Sequence, residues 1–140
     1  LRDRVCAVSN KTHYNEMNVL SMHALIGAYQ SQGYEWVDEL NQVLAGNIEY
    51  FCDYVDEHFE GVSYSRPQGT YMVFLDCTEW CREHGRDIQW LLDEGARVGV
   101  GYQDGRPFHG TCHIRVNLAL PLSRVREACD RLDRYVFNAR

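Results

Sequence analysis

Arg115 interrupts the stretch Cys112 to Pro121, in which apolar and polar residues otherwise alternate as they do in a half-buried strand. Ile114, Val116 and Leu118 fall on one face and His113, Arg115 and Asn117 on the other, because strand side chains point alternately up and down. A guanidinium fixed on a strand presents a planar fork suited to a carboxylate. It serves equally well in a structural ion pair or on a solvated sheet face. Asn117 shares that face, where it is placed to support the guanidinium, to line a site or simply to meet water. A second set of reactive side chains is Cys77, Cys81 and His84, spaced to share one helical face, followed later by His109, Cys112 and His113. Zinc favours such ligands, but a compact structural site pairs them about two to four residues apart. The first trio departs from that spacing, and no metal ligand is assigned.

The elements that must position these groups begin with a segment from Asn18 to Gln32 that is apolar on nearly every side (Val19, Leu20, Met22, Leu25, Ile26). Such a helix needs cover all round. Gly33 offers a left-handed stop, after which Trp36, Val37, Leu40, Val43, Leu44, Ile48, Phe51, Val55 and Phe59 recur at helical steps until Gly61. Residues 62–66 and 70–76 predict a β-hairpin about Pro67-Gln68-Gly69, with Tyr71 in the core. Asp87 caps a short helix that Gly95 ends, Arg97 to Val100 predict a short strand, and 101–110 a Gly-rich loop. Ser123 caps a last helix whose inner face carries Val125, Ala128, Cys129, Leu132 and Val136. The predicted class is α/β of the two-layer α+β kind: a small, mainly antiparallel sheet with helices packed on one side, preceded by a long interdomain-type helix.

With 140 residues, 45% apolar and 24% charged, the chain has the size and composition of one soluble globular domain. No run approaches the roughly 18 apolar residues of a membrane span, and no signal-peptide pattern opens it. Its start at Leu1-Arg2-Asp3-Arg4 leads us to expect a piece of a longer polypeptide. The net charge of -6, with scattered basic residues, argues against nucleic acid and anionic membranes as partners. Six cysteines dispersed through regular segments predict reduced, buried thiols and a cytoplasmic setting.

Several segments, in order, carry a family resemblance. They are Asn18-Val19-Leu20; Ala28-Tyr29 followed by Gly33-Tyr34-Glu35-Trp36-Val37-Asp38-Glu39-Leu40; Leu44-Ala45-Gly46-Asn47-Ile48-Glu49-Tyr50; Arg66-Pro67-Gln68-Gly69-Thr70-Tyr71 with Leu75-Asp76; and Ile114-Arg115-Val116-Asn117-Leu118-Ala119-Leu120-Pro121. Residues 1–140 thereby resemble the C-terminal small domain of a fold-type-I enzyme dependent on pyridoxal 5'-phosphate (PLP), of the class I/II aminotransferase superfamily. The nearest branch is the cystathionine β-lyase-like C-S lyases.

The resemblance implies that Arg115, the arginine of the Arg-x-Asn strand, binds the α-carboxylate of an amino-acid substrate. It implies a β-lyase that expels a thiolate and leaves pyruvate and ammonia, and an aminotransferase would share the same carboxylate clamp. It also places the loop 99–110 near the mouth of the site, so that Phe108 or His109 would line the entrance unless they only pack the loop. The loop's glycines lack the strand-then-helix context of a nucleotide site. The PLP-bearing lysine, the phosphate-binding residues and the acidic partner of the pyridinium nitrogen are implied in a large domain upstream, missing from this chain. No catalytic or cofactor-binding residue is therefore assigned within it. Lys11, the only lysine, stands in the stretch Val8 to Tyr14, too close to Asn18 for that role, and reads as a solvated loop residue. The parent is expected to be a homodimer, and this piece alone to be inactive, without PLP, and weakly self-associating through its first helix.

Overall fold

The structure, a computed structural model, describes residues 1–12 and 17–139; His13 and Tyr14 of the segment around Lys11 lie outside the described residues. The chain divides into two units, Leu1–Leu40 and Asn41–Arg140.

The first unit holds α1 (Arg2–Thr12), α2 (Val19–Ala28) and the opening of α3 (Ser31–His58). Lys11 lies on helix α1 and is exposed, which corrects the loop expected around it. Asn18 caps α2, its Oδ1 accepting the Ser21 N–H at 2.9 Å. That helix stops at Ala28 rather than Gln32. Gly33 is not the stop: it lies inside α3, where a Cβ would run into the Ala28 carbonyl oxygen. The bend thus uses its missing side chain rather than a left-handed backbone. Neither α1 nor α2 contains a buried residue, and Val19, Leu20 and Ile26 are exposed.

In the second unit the rest of α3 buries Phe51, Cys52, Val55 and the polar Asn47. Next come β1 (Ser63–Tyr64), β2 (Met72–Asp76), α4 (Thr78–His84), α5 (Ile88–Arg97), β3 (Gln103–Asp104), β4 (His113–Asn117) and α6 (Leu122–Leu132). A π-helical turn, Asp133–Phe137, extends α6. The sheet runs β1-β2-β4-β3 and is antiparallel throughout. Val73 and Leu75 of β2 and Ile114 and Val116 of β4 point into one core with Phe51, Val55, Leu91, Val125 and Leu132 from the helices. The helices therefore cover one face, as the alternation predicts.

Local departures have identifiable causes. In the hairpin Thr70 takes the left-handed conformation, at φ 69°, and Tyr71 is exposed rather than core. Residues 97–100 form no strand. Helix α5 runs past Gly95 to Arg97, and Gly99 supplies the positive φ of 76°. Gly95 is buried against the Tyr102 ring, which a Cβ there would approach to 2.5 Å. Ser123 lies inside α6, whose first turn is set by Pro121 without a side-chain cap. Among the described residues no helix is long and apolar enough to cross a membrane.

Candidate functional site

Register puts Arg115 in the middle of the sheet. Its β4 position faces Phe74 on β2 and Gln103 on β3, and alternation turns all three side chains away from the helical layer. The Arg115 Nη1 donates to Gln103 Oε1 at 3.0 Å. Its guanidinium carbon lies 4.6 Å from the centroid of the Phe108 ring, a cation–π contact. No carboxylate among the described residues forms an ion pair with Arg115. The half-buried cation is thus oriented by one neutral acceptor and one ring, with further N–H groups left for a ligand.

Phe108 reaches Arg115 because Asp104 organises the intervening turn. Its carboxylate accepts the Arg106 backbone N–H at 2.9 Å and Nε–H at 2.7 Å, opening the 310 turn Arg106–Phe108. The hydrogen bonds from Arg106 hold the Asp104 carboxyl below the usual carboxylate range. His109 ends that turn at φ 66° and is exposed, making no side-chain hydrogen bond. Gly105 and Gly110 let this loop close on the sheet: a Cβ at Gly110 would come within 2.6 Å of His113 and Phe74.

Beside Arg115 on the same face, His113 lies against the Phe74 ring at 4.7 Å, with Nε2 3.7 Å from Asp76 Oδ2 and a buried, unpartnered Nδ1. Burial pushes the Asp76 carboxyl upward, but the Thr78 hydroxyl and backbone N–H, helped by His113, hold it below its ordinary value. Asn117 does not reach the guanidinium. Its Oδ1 accepts the Ala119 N–H at 2.8 Å and shapes the exit from β4.

Asn117 instead borders a separate cleft of about 370 Å³, together with Gly99, Val116, Leu120, Arg124 and Arg131. Arg115, Phe108 and His109 do not border it. Its charged groups satisfy one another: Glu127 accepts from Arg124 at 2.7 Å and from Arg131 at 2.6 Å. Glu127 thus ties down both guanidiniums of this cleft, whereas Arg115 has no carboxylate partner among the described residues.

The Cys and His residues weighed as zinc ligands do not converge, and no group of three or more His, Cys, Asp or Glu side chains among the described residues could hold a metal ion. His84 stacks on Trp80 and bonds the Trp80 carbonyl through Nδ1, while Cys81 meets Cys112. The six thiols are free; Cys52, Cys77, Cys81 and Cys129 are buried as expected, Cys112 is half-buried and Cys6 exposed.

Two participants were not foreseen from the sequence. Gln103 sits in what reads as a Gly-rich loop, and no local signal marks it as part of a strand. Asn47, 1% exposed on α3, donates from Nδ2 to the carbonyls of Leu118 at 2.9 Å and Leu120 at 2.8 Å. It fastens the segment after β4 to the long helix, and its appearance among the quoted family residues was the available signal.

No family model matches the chain. It is 35% identical over 124 residues to a Mycobacterium leprae protein named "Putative cystathionine beta-lyase", an alignment covering 77% of this chain and 30% of that one. A C-S lyase of Staphylococcus hominis, solved with PLP bound, superposes with a TM-score of 0.80 at 22% identity, over 95% of this chain and 35% of the lyase. A PLP-bound protein of Clostridium difficile 630, described as a "putative aminotransferase", gives 0.79 at 24% identity, over 91% and 32%. The chain resembles one part of a C-S lyase. It spans about a third of the length of the curated relatives it matches, and the resemblance drawn from its motifs holds.

Proposed function

We propose that this chain is the C-terminal small domain of a PLP-dependent C-S β-lyase, cystathionine β-lyase-like, in which Arg115 holds the α-carboxylate of an amino-acid substrate. The large PLP-binding domain would lie elsewhere in a cytoplasmic, homodimeric parent. The observation that carries the reading is the guanidinium of Arg115, oriented by Gln103 and Phe108 and without a carboxylate partner among the described residues. A fork held in this way clamps a carboxylate in two directions at once, which restricts rotation of the substrate's reacting bonds. Phe108 would form one wall beside the carboxylate, and His109 would lie at the edge of the site. The described residues do not themselves fit the cofactor. Their single lysine, Lys11, is exposed on α1, and no step through PLP is assigned to this chain. The chain alone, incubated with PLP and then borohydride, should yield no stoichiometric adduct at Lys11.

The test is steady-state kinetics of the full-length protein carrying Arg115→Ala or Arg115→Lys, alongside the PLP absorbance and a melting curve. The alanine variant should lose kcat/KM while retaining cofactor and stability. The lysine variant should recover only part, because an ammonium keeps the charge and loses the planar fork. Wild-type kinetics in both variants, or activity loss that merely tracks unfolding, would overturn the assignment. An aminotransferase is the second reading, supported by the near-equal superposition on the Clostridium protein. Release of pyruvate and ammonia from a cysteine conjugate separates it from transfer of the amine to a 2-oxo acid.

A further inference from the structure

Cys81 and Cys112 lie 31 residues apart in sequence, yet the Cys112 thiol donates to Cys81 Sγ at 3.1 Å. A disulfide is about 2.0 Å long, so the sulfurs need to close by only about 1 Å. The backbone nearby is already fastened, since the Cys77 N–H donates to the Cys112 carbonyl at 2.9 Å just before α4 begins. The thiols also differ in access: Cys81 on α4 is 4% exposed, whereas Cys112, immediately before β4, is half-buried.

We propose that Cys81 and Cys112 form a redox dithiol that small-molecule disulfides oxidise to an intrachain disulfide, with Cys112 reacting first and Cys81 resolving. In the first step the Cys112 thiolate attacks one sulfur of the reagent, forming a mixed disulfide and releasing one reagent thiolate. In the second, Cys81 gives up its proton and attacks Cys112 Sγ, forming the Cys81–Cys112 bond and releasing the other thiolate. Two protein thiols are oxidised and one small disulfide is reduced to two thiols. Burial, followed by the hydrogen bond from Cys112, pushes the Cys81 thiol up to about 12, so Cys81 is not the thiol that initiates, and its attack on Cys112 rests on the short separation of the sulfurs. Cys77, fully buried, has no access to the reagent. The proposal does not depend on the lyase reading.

The test uses the full-length protein with Cys6→Ser, which removes the exposed thiol on α1, and oxidised glutathione as the reagent. Peptide mapping without reduction should find Cys81 joined to Cys112, no lasting glutathione adduct, and full reversal by dithiothreitol. The oxidised form should melt at a higher temperature than the reduced one. With Cys81→Ala the adduct should accumulate on Cys112, and with Cys112→Ser the Cys81 thiol should stay unmodified. An unmodified Cys112, a stable adduct there with Cys81 free, or a bridge through Cys77 would overturn the proposal. If Cys81→Ala does not fold, mapping of the protein with both thiols intact still decides.

Discussion

Val73, Leu75, Ile114 and Val116 fill one face of the sheet, while Phe74, His113, Arg115 and Gln103 occupy the other, and neighbours on β4 alternate between the two environments. The inner face is closed by helices on every side that matters to the core. The outer face is covered in part by the 310 turn and its flanking glycines, which leave a cation and an imidazole half-buried. Adjacent residues of one strand thus belong to different problems: Ile114 holds the domain together, and Arg115 is proposed to hold a ligand. Substitutions on the two faces should therefore separate stability from activity.

The largest effect is expected from Ile114→Ala, which removes a fully buried side chain and should cost about 2–5 kcal/mol by chemical denaturation of the full-length protein. Next is Arg115→Ala, where loss of a charge-assisted contact of about 1.5–3 kcal/mol should lower kcat/KM roughly 10- to 150-fold with little change in melting temperature. If Arg115→Ala unfolds the domain as Ile114→Ala does, the contrast between the faces breaks down. Asn47→Ala, which leaves two carbonyls without their donor, should destabilise by about 1–3 kcal/mol. Its kinetic effect should follow only from that instability. Smallest is Phe108→Leu, where loss of the ring should cost about 0.5–1 kcal/mol, read as a raised KM with an unchanged melting curve. An unaltered KM would remove Phe108 from the site and leave it as loop packing.

Strand β4 was legible because burial of one face imposes a period of two on its sequence, and Arg115 stood out against that pattern. The start of α2 near Asn18, the amphipathic α3 and the apolar face of α6 were legible for the same reason: each is set by residues near one another in the chain. Strand β3 was not. Its two residues become a strand only through pairing with Ile114 and Arg115, about ten positions away. Gly95 and Gly33 read as helix stops, yet each is needed because another group comes too close for a side chain. Helix α4 was obscured by its own reactive residues, whose spacing was weighed as metal chemistry although Trp80 and Cys81 face the core. The contact of Arg115 with Phe108 depends on the turn built by Asp104 and Arg106, a geometry without a sequence period.

The π-helical turn after α6 has an optical consequence. It brings Phe137 to within 4.3 Å of the Phe59 ring and places its carbonyl to accept the Trp80 Nε1–H at 3.2 Å. Trp80 in turn stacks near Trp90, with ring centroids 5.7 Å apart, while Trp36 in the first unit is exposed. Two indoles at this separation couple their transitions, and a fixed mutual orientation gives near-ultraviolet circular dichroism that fluctuating packing would average away. The dichroic band would therefore report whether the last turn is seated, whereas the emission of Trp36 would follow the solvent around the first unit.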